Sequence, residues 1–174
     1  MLQTLPFLIF PALVIGAALK DLTSFTIPNW LNIALAASFA LAAPAAGASI
    51  GLIGLNLAVG LGGLVVGLGM FAMGWIGGGD AKLFAAVSLW LGWPAVGHFL
   101  IGTTLAGGAL ALLLLALRTQ LARAHAPHMG GWAERLATPG QPAPYGVAIA
   151  VGALMAFPVC SLAQLGYLTV GLGR

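Results

Sequence analysis

Gly77-Gly78-Gly79-Asp80-Ala81-Lys82-Leu83 sets a carboxylate and an ammonium between two long apolar stretches. The chain has 174 residues and only three acids, Asp21, Asp80 and Glu134. A carboxylate near a bilayer core is disfavoured by roughly 2.5–3.5 kcal/mol on insertion scales, so an ionisable residue kept there signals function. The three glycines before it allow unusual dihedrals and a close approach by another segment. The stretch reads as half of an active site, with the other half elsewhere in the chain.

The flanks of that stretch decide the class of fold. Hydrophobic residues make up 61% of the chain and charged residues 5%, against roughly 25% charged in soluble domains. This is the composition of an all-α, polytopic membrane protein. The length suits one helical bundle, a single domain over residues 1–174. The single cysteine, Cys160, excludes an internal disulfide framework and a cysteine-based zinc cluster. Lys20 follows the first apolar run instead of preceding it. A secretory signal has the opposite order, so a retained first helix is expected.

Six transmembrane helices are expected from six apolar runs, at residues 5–19, 27–43, 50–76, 82–91, 95–117 and 144–168. The fourth falls short of the ~20 residues that cross a bilayer upright, so its helix begins above the membrane plane at Asp80 or crosses a thinned region. Pro28 suits the first turn of the second helix. Gly47/Gly51 and Gly63/Gly67 are small residues at four-residue spacing, which permits close helix contact.

The loops at about 20–27, 77–82 and 118–143 carry Lys20, Lys82, Arg118, Arg123 and Arg135, and only Arg174 lies elsewhere. The positive-inside rule puts those loops in the cytoplasm and both termini in the periplasm. Asp21 and Asp80, far apart in sequence, then meet one cytoplasmic membrane edge.

Two close carboxylates cannot easily both ionise, so they share a proton and titrate as a pair. Such a pair is the chemical core of an aspartic protease: the ionised member takes a proton from water and the protonated member donates to the scissile carbonyl. A helix N-terminus favours charge on Asp80, and a helix C-terminus disfavours it on Asp21. Asp80 is therefore expected to act as base and Asp21 to carry the proton. Other readings stay open. Asp21 pairs with Lys20 or with lipid head groups while Asp80 only caps a helix. Alternatively, both serve as the relay of a small proton- or ion-coupled transporter, although such carboxylates usually lie near the midplane. A noncatalytic assembly subunit is a third.

The residues resemble those of the type IV prepilin leader peptidases, the G-x-G-D aspartic proteases, and most closely the short forms of Flp-type pili. Gly77 to Leu83 fits the G-x-G-D motif and its A-K-L continuation, Asp21 with Ile27-Pro28-Asn29 fits the first-aspartate motif, and Pro144-Tyr145-Gly146 fits the P-Y/F-G signature. The resemblance implies a multi-pass endopeptidase of the bacterial inner membrane, its active site facing the cytoplasm, that removes the basic leader of prepilins. It implies that Asp21 and Asp80 are catalytic and that Gly77, Gly78, Gly79, Lys82, Pro144, Tyr145 and Gly146 support the motifs or the substrate. Long forms that also N-methylate carry paired C-x-x-C motifs; with one cysteine here, methylation is not expected.

The remaining candidates have plainer alternatives. Lys20 and Lys82 tune the acidity of the aspartates or anchor topology. His125 and His128 are spaced for a metal but have no third ligand in view. Glu134 meets a basic leader or is a solvated loop residue. Trp30, Trp75, Trp90 and Trp93 lie near run ends and read as interfacial anchors. A glycine edge near Asp80 is expected to receive an extended substrate backbone. The glycines lack the Lys-Ser/Thr of a phosphate loop. No metal, cofactor or nucleic acid is expected; the partners are a prepilin and the bilayer.

Overall fold

The structure, a computed structural model, describes residues 5–119, 131–138 and 140–171, which are mostly helical, with short turns and extended links and no strand among them. In chain order they form α1 (Leu5–Ser24), α2 (Asn29–Ala45), α3 (Ile50–Ala72), α4 (Gly78–Leu117), α5 (Gly131–Ala137), α6 (Tyr145–Ala156), a 3-10 turn (Phe157–Val159) and α7 (Ser161–Gly171). α3 and α4 are long and apolar enough to cross a membrane, and α2 and Tyr145–Val159 are shorter apolar helices.

α4 contains a sharp break. Gly92 takes φ 60° and ψ −165°, and Trp93 is extended. Residues 78–91 and 94–117 are therefore two arms. The first lies antiparallel to α3, with Gly67 on Ala81, Gly63 on Ser88 and Gly60 on Leu89. The second lies antiparallel to α6, with Gly102 on Gly152 and Gly107 beside Ala148. A positive φ suits glycine, and a Cβ at position 92 would collide with the Asn56 side chain. Asn56, 1% exposed, donates through Nδ2 to the carbonyls of Leu89 at 3.0 Å and Trp90 at 3.4 Å. These are acceptors that a helix end leaves without an internal partner.

Several boundaries differ from those expected. α1 runs on through Lys20 and Asp21 to Ser24. The hydroxyls of Thr23 and Ser24 donate back to the carbonyls of Leu19 at 2.7 Å and Lys20 at 2.6 Å, so both polar side chains are satisfied within the helix. The helix stops where Phe25 turns to φ 53°. Pro28 is the residue before α2 and not within its first turn. The sixth run is not one helix: Pro158, which has no N–H, falls in the 3-10 turn that separates α6 from α7. The segment after α4 is not wholly a loop, since it contains α5. Arg123, His125, His128 and Arg174 lie outside the described residues.

Two packing expectations also change. Gly63/Gly67, joined by Gly60, is a close seam. Gly47 is instead in a turn at φ 70°, and the nearest neighbour of a Cβ at position 51 would be a serine hydroxyl at 4.0 Å. Trp90 is not an interfacial anchor: it is 0% exposed, donates through Nε1 to the Leu35 carbonyl at 2.8 Å, and lies 5.1 Å from the Phe10 ring. Trp30, Trp75 and Trp93 are exposed. Around Trp90, one buried cluster joins α1, α2, α4, α6 and α7 through residues such as Val14, Leu35, Val87, Ala153 and Leu162.

The seam makes a prediction. A Cβ at position 67 would lie 2.8 Å from the Ala81 carbonyl oxygen and 3.2 Å from its Cα. Backbone cannot rotate aside, so Gly67→Val should destabilise the protein by about 1–3 kcal/mol, the usual size of overpacking. Thermal unfolding in detergent reads this. Gly62→Ala, whose Cβ meets nothing within 4 Å, should be neutral or stabilising.

Candidate active site

Three helix ends converge on one buried spot: the last turn of α1 and the first turns of α4 and α6. Ile27, in the link between α1 and α2, is wedged among them. A Cβ at position 79 would lie 3.1 Å from the Ile27 Cβ and carbonyl oxygen, and one at position 146 would lie 2.8 Å from its Cδ1. Each glycine is thus needed for Ile27 to reach both segments. Pro28 then directs the chain into α2 at φ −63° and ψ 142°. Asn29 Oδ1 accepts from Lys82 Nζ at 2.8 Å, and Asn32 Nδ2 donates to the Gly79 carbonyl at 3.2 Å. The Ile27-Pro28-Asn29 tripeptide is therefore the clamp that holds the glycine stretch in place.

Asp21 is 4% exposed and Asp80 is 7% exposed. The Gly146 N–H donates to Asp21 Oδ2 at 2.7 Å. That amide is available because the first N–H groups of a helix have no partner within it, and Pro144, fully buried, heads α6. The Gly77 N–H donates to Asp80 Oδ2 at 3.1 Å, while Asp80 Oδ1 is buried with no protein donor. Two helix N-termini thus point their positive ends at one pair of carboxyls.

Asp21 lies beyond the apolar run that ends at Leu19. Burial pushes its carboxyl up from the ordinary 3.8 to about 7, the neighbouring Asp80 carboxylate adds to the rise, and the Gly146 N–H opposes it. A pair with one proton between two carboxyls offers an acid and a base side by side near neutral pH. Asp80 Oδ1, with no protein donor, is left to accept from a water or a substrate.

The other expected residues fall into two groups. Gly77 and Gly146 hold the carboxyls through their N–H groups, Gly79 packs on Ile27, and Pro144 heads α6; Gly78 stands back, facing the Phe71 ring. Gly79 is not an open edge for an extended peptide, because it is within the first turn of α4, its carbonyl is bonded to Asn32 and Ile27 covers it. Asp80 is likewise inside the helix and not ahead of it. Lys82 contacts Asn29, not the carboxyls. Tyr145 turns its ring toward Gly107 and forms no hydrogen bond to either aspartate. It lines a cleft of about 470 Å³ with Ile76, Phe84, Thr103 and Ile149. Glu134 is exposed on α5. Among the described residues, no three His, Cys, Asp or Glu side chains gather.

Three contributors were not singled out from sequence: Ile27 as a wedge, Asn32, and Arg118. Arg118 donates through Nε to the Leu136 carbonyl at 3.2 Å and through its guanidinium to the Gln141 carbonyl at 2.8 Å, bracing the chain that leads to Pro144. A polar residue inside an apolar run was the available signal for Asn32.

A profile of the type IV leader peptidase family matches residues 8–112, more than half of the chain, and that stretch contains both aspartates. No curated protein and no solved structure matched the chain.

Proposed function

Because the chain belongs to the type IV leader peptidase family, we propose that it is an aspartic endopeptidase of the bacterial inner membrane that removes the basic leader of type IV, Flp-like prepilins at the cytoplasmic face. The observation that carries this reading is the pair of buried neighbouring carboxyls, each held by an amide at a helix head: Gly146 on Asp21 and Gly77 on Asp80. Asp80, at the N-terminus of α4 and with one oxygen unclaimed, is the base that takes a proton from the attacking water. Asp21, with its raised pKa, donates its proton to the scissile carbonyl oxygen. The tetrahedral intermediate collapses when the proton held by Asp80 passes to the departing amine and the proton on the former carbonyl oxygen returns to Asp21, which leaves a new carboxyl on the leader, a new amino terminus on the pilin and the pair in its starting state. No covalent intermediate is needed.

The topology follows from the same end of the bundle. α1, α2, α3, the two arms of α4, and α6 with α7 give six crossings in alternating directions, as the antiparallel seams support. Lys20, Lys82 and Arg118 stand at the aspartate end, which favours a cytoplasmic location for that end and a periplasmic one for both termini. Residues 78–91 rise about 21 Å, less than the ~30 Å of a bilayer core, so Asp80 is drawn down to the interface where a prepilin's apolar stem meets its basic leader. The cleft at Tyr145, Phe84 and Ile149 is the seat of that stem.

Incubating the purified protein with a prepilin should give cleavage whose rate falls as pH rises through about 7, where Asp21 loses its proton. A rate that climbs across that range would contradict the assigned roles, and absence of cleavage in a bilayer would contradict the reading altogether.

A further inference from the structure

The first arm of α4 has two unlike faces. Asp80, Phe84 and Val87 recur at helical spacing, whereas Lys82, Ala85, Ala86 and Leu89 lie about 140–240° around the arm from Asp80, at ~100° per residue. This second face floors a groove of about 460 Å³ between α2 and α3. Its walls are apolar, formed by Ile33 and Ala36 on one side and by Leu57, Leu61 and Leu64 on the other. One end is polar. There the Lys82 ammonium uses one donor on Asn29 Oδ1 and is otherwise exposed. Asn32, 5% exposed, has Nδ2 committed to the Gly79 carbonyl and Oδ1 with no partner at all. A carbonyl oxygen at 3.2 Å can face the NH2 of the amide but not its oxygen, which assigns the amide orientation and leaves Oδ1 as the unpaired acceptor.

We propose that this groove binds one anionic phospholipid with a hydroxyl-bearing head group, of the phosphatidylglycerol class. The phosphate meets the Lys82 ammonium, a head-group hydroxyl donates to Asn32 Oδ1, and an acyl chain lies along Leu57, Leu61 and Leu64. Cation, orphan acceptor and apolar trough stand in the order in which such a lipid presents anion, donor and tail, and basic pockets between helices on the cytoplasmic side favour anionic heads. A choline head offers neither a donor nor net negative charge. A substrate stem fits less well, because the groove faces away from Asp80. The proposal rests on the membrane reading and on the depth of Lys82; it does not require peptidase activity. The bound lipid would join α2 and α3, which both pack on α4, across the groove that separates them.

Native mass spectrometry on the full chain in mild detergent tests this by titration with phosphatidylglycerol or phosphatidylcholine. One phosphatidylglycerol per chain is expected, held in preference to phosphatidylcholine. Lys82→Gln should weaken it about five- to tenfold, the weight of one basic side chain at a lipid surface, with unchanged melting in the absence of lipid. Ala36→Phe, which fills the trough and leaves every polar group in place, should weaken both lipids. Equal binding of the two lipids, or full retention by Lys82→Gln and Ala36→Phe, would overturn the proposal. Displacement by soluble glycerol phosphate would make the site one for free phosphate, and a photo-crosslinker at Leu61 that captures a prepilin stem would make it a peptide site; either result also overturns it.

Discussion

Asparagine in place of Asp21 or Asp80 is expected to lower prepilin cleavage at least about 10³-fold, within the about 10²–10⁴-fold that a positioned acid or base contributes. Asparagine keeps the shape of the side chain, and its carbonyl oxygen still accepts from the Gly146 or Gly77 N–H. It can neither hold the shared proton nor take one from water. Stability should respond in the opposite sense. The Asp21 pKa is raised on folding from 3.8 to about 7. The folded state therefore binds that proton more tightly, and the stabilisation present below pH 3.8 is lost as pH rises to about 7 and stays lost above it. Asp21→Asn removes this contribution and should melt at or above the parent at neutral pH. Inactive but well-folded variants at both positions would fit a two-carboxylate hydrolase. Cleavage near the parent rate from either would defeat the mechanism, and proton flux with no cleavage would favour a transporter.

Gly146→Val is expected to reduce cleavage at least about 10²-fold without replacing any ionisable group. A Cβ there would lie 2.8 Å from Asp21 Oδ2, 3.0 Å from Asp21 Cβ and 2.8 Å from Ile27 Cδ1. The Ile27 methyl can swing aside; the Asp21 Cβ cannot. The Asp21 carboxyl must move off the Gly146 amide that holds it beside Asp80, and a misplacement of about 1 Å is enough for a loss of this size. Helical content by circular dichroism should persist. Gly97→Ala, whose Cβ would meet nothing within 4 Å, is the matched control and should cleave normally. Parent-like activity in Gly146→Val would mean that the amide contact with Asp21 is incidental.

Much of the site was legible because its parts are marked in one dimension. An aspartate behind three glycines, a second one next to a lysine at the end of an apolar run, and a Pro-Tyr-Gly triplet opening another run are rare in so apolar a chain. What could not be read was the direction in which each residue faces. Lys82 is two residues from Asp80 yet on the far side of the helix, bonded to Asn29. Tyr145 adjoins Gly146 yet turns to Gly107. Trp90 looked like its exposed neighbour Trp93, because an indole suits either a membrane interface or a core that offers its N–H an acceptor; the Leu35 carbonyl supplied one.

From the sequence alone came the helical class, the approximate runs, the gathering of basic residues beside two of the three acids, and the two carboxyls as a candidate pair. Hydropathy and charge are properties of the chain read along its length, and they dictate which segments leave water and which end of each stays near it. Only the tertiary structure decided that Gly92 folds α4 back on itself, that Ile27 wedges between Gly79 and Gly146, and that the amide at the head of α6 holds Asp21 while the one at the head of α4 holds Asp80. Those outcomes depend on which surfaces meet across the bundle, and a contact of that kind takes its partner from a distant part of the chain.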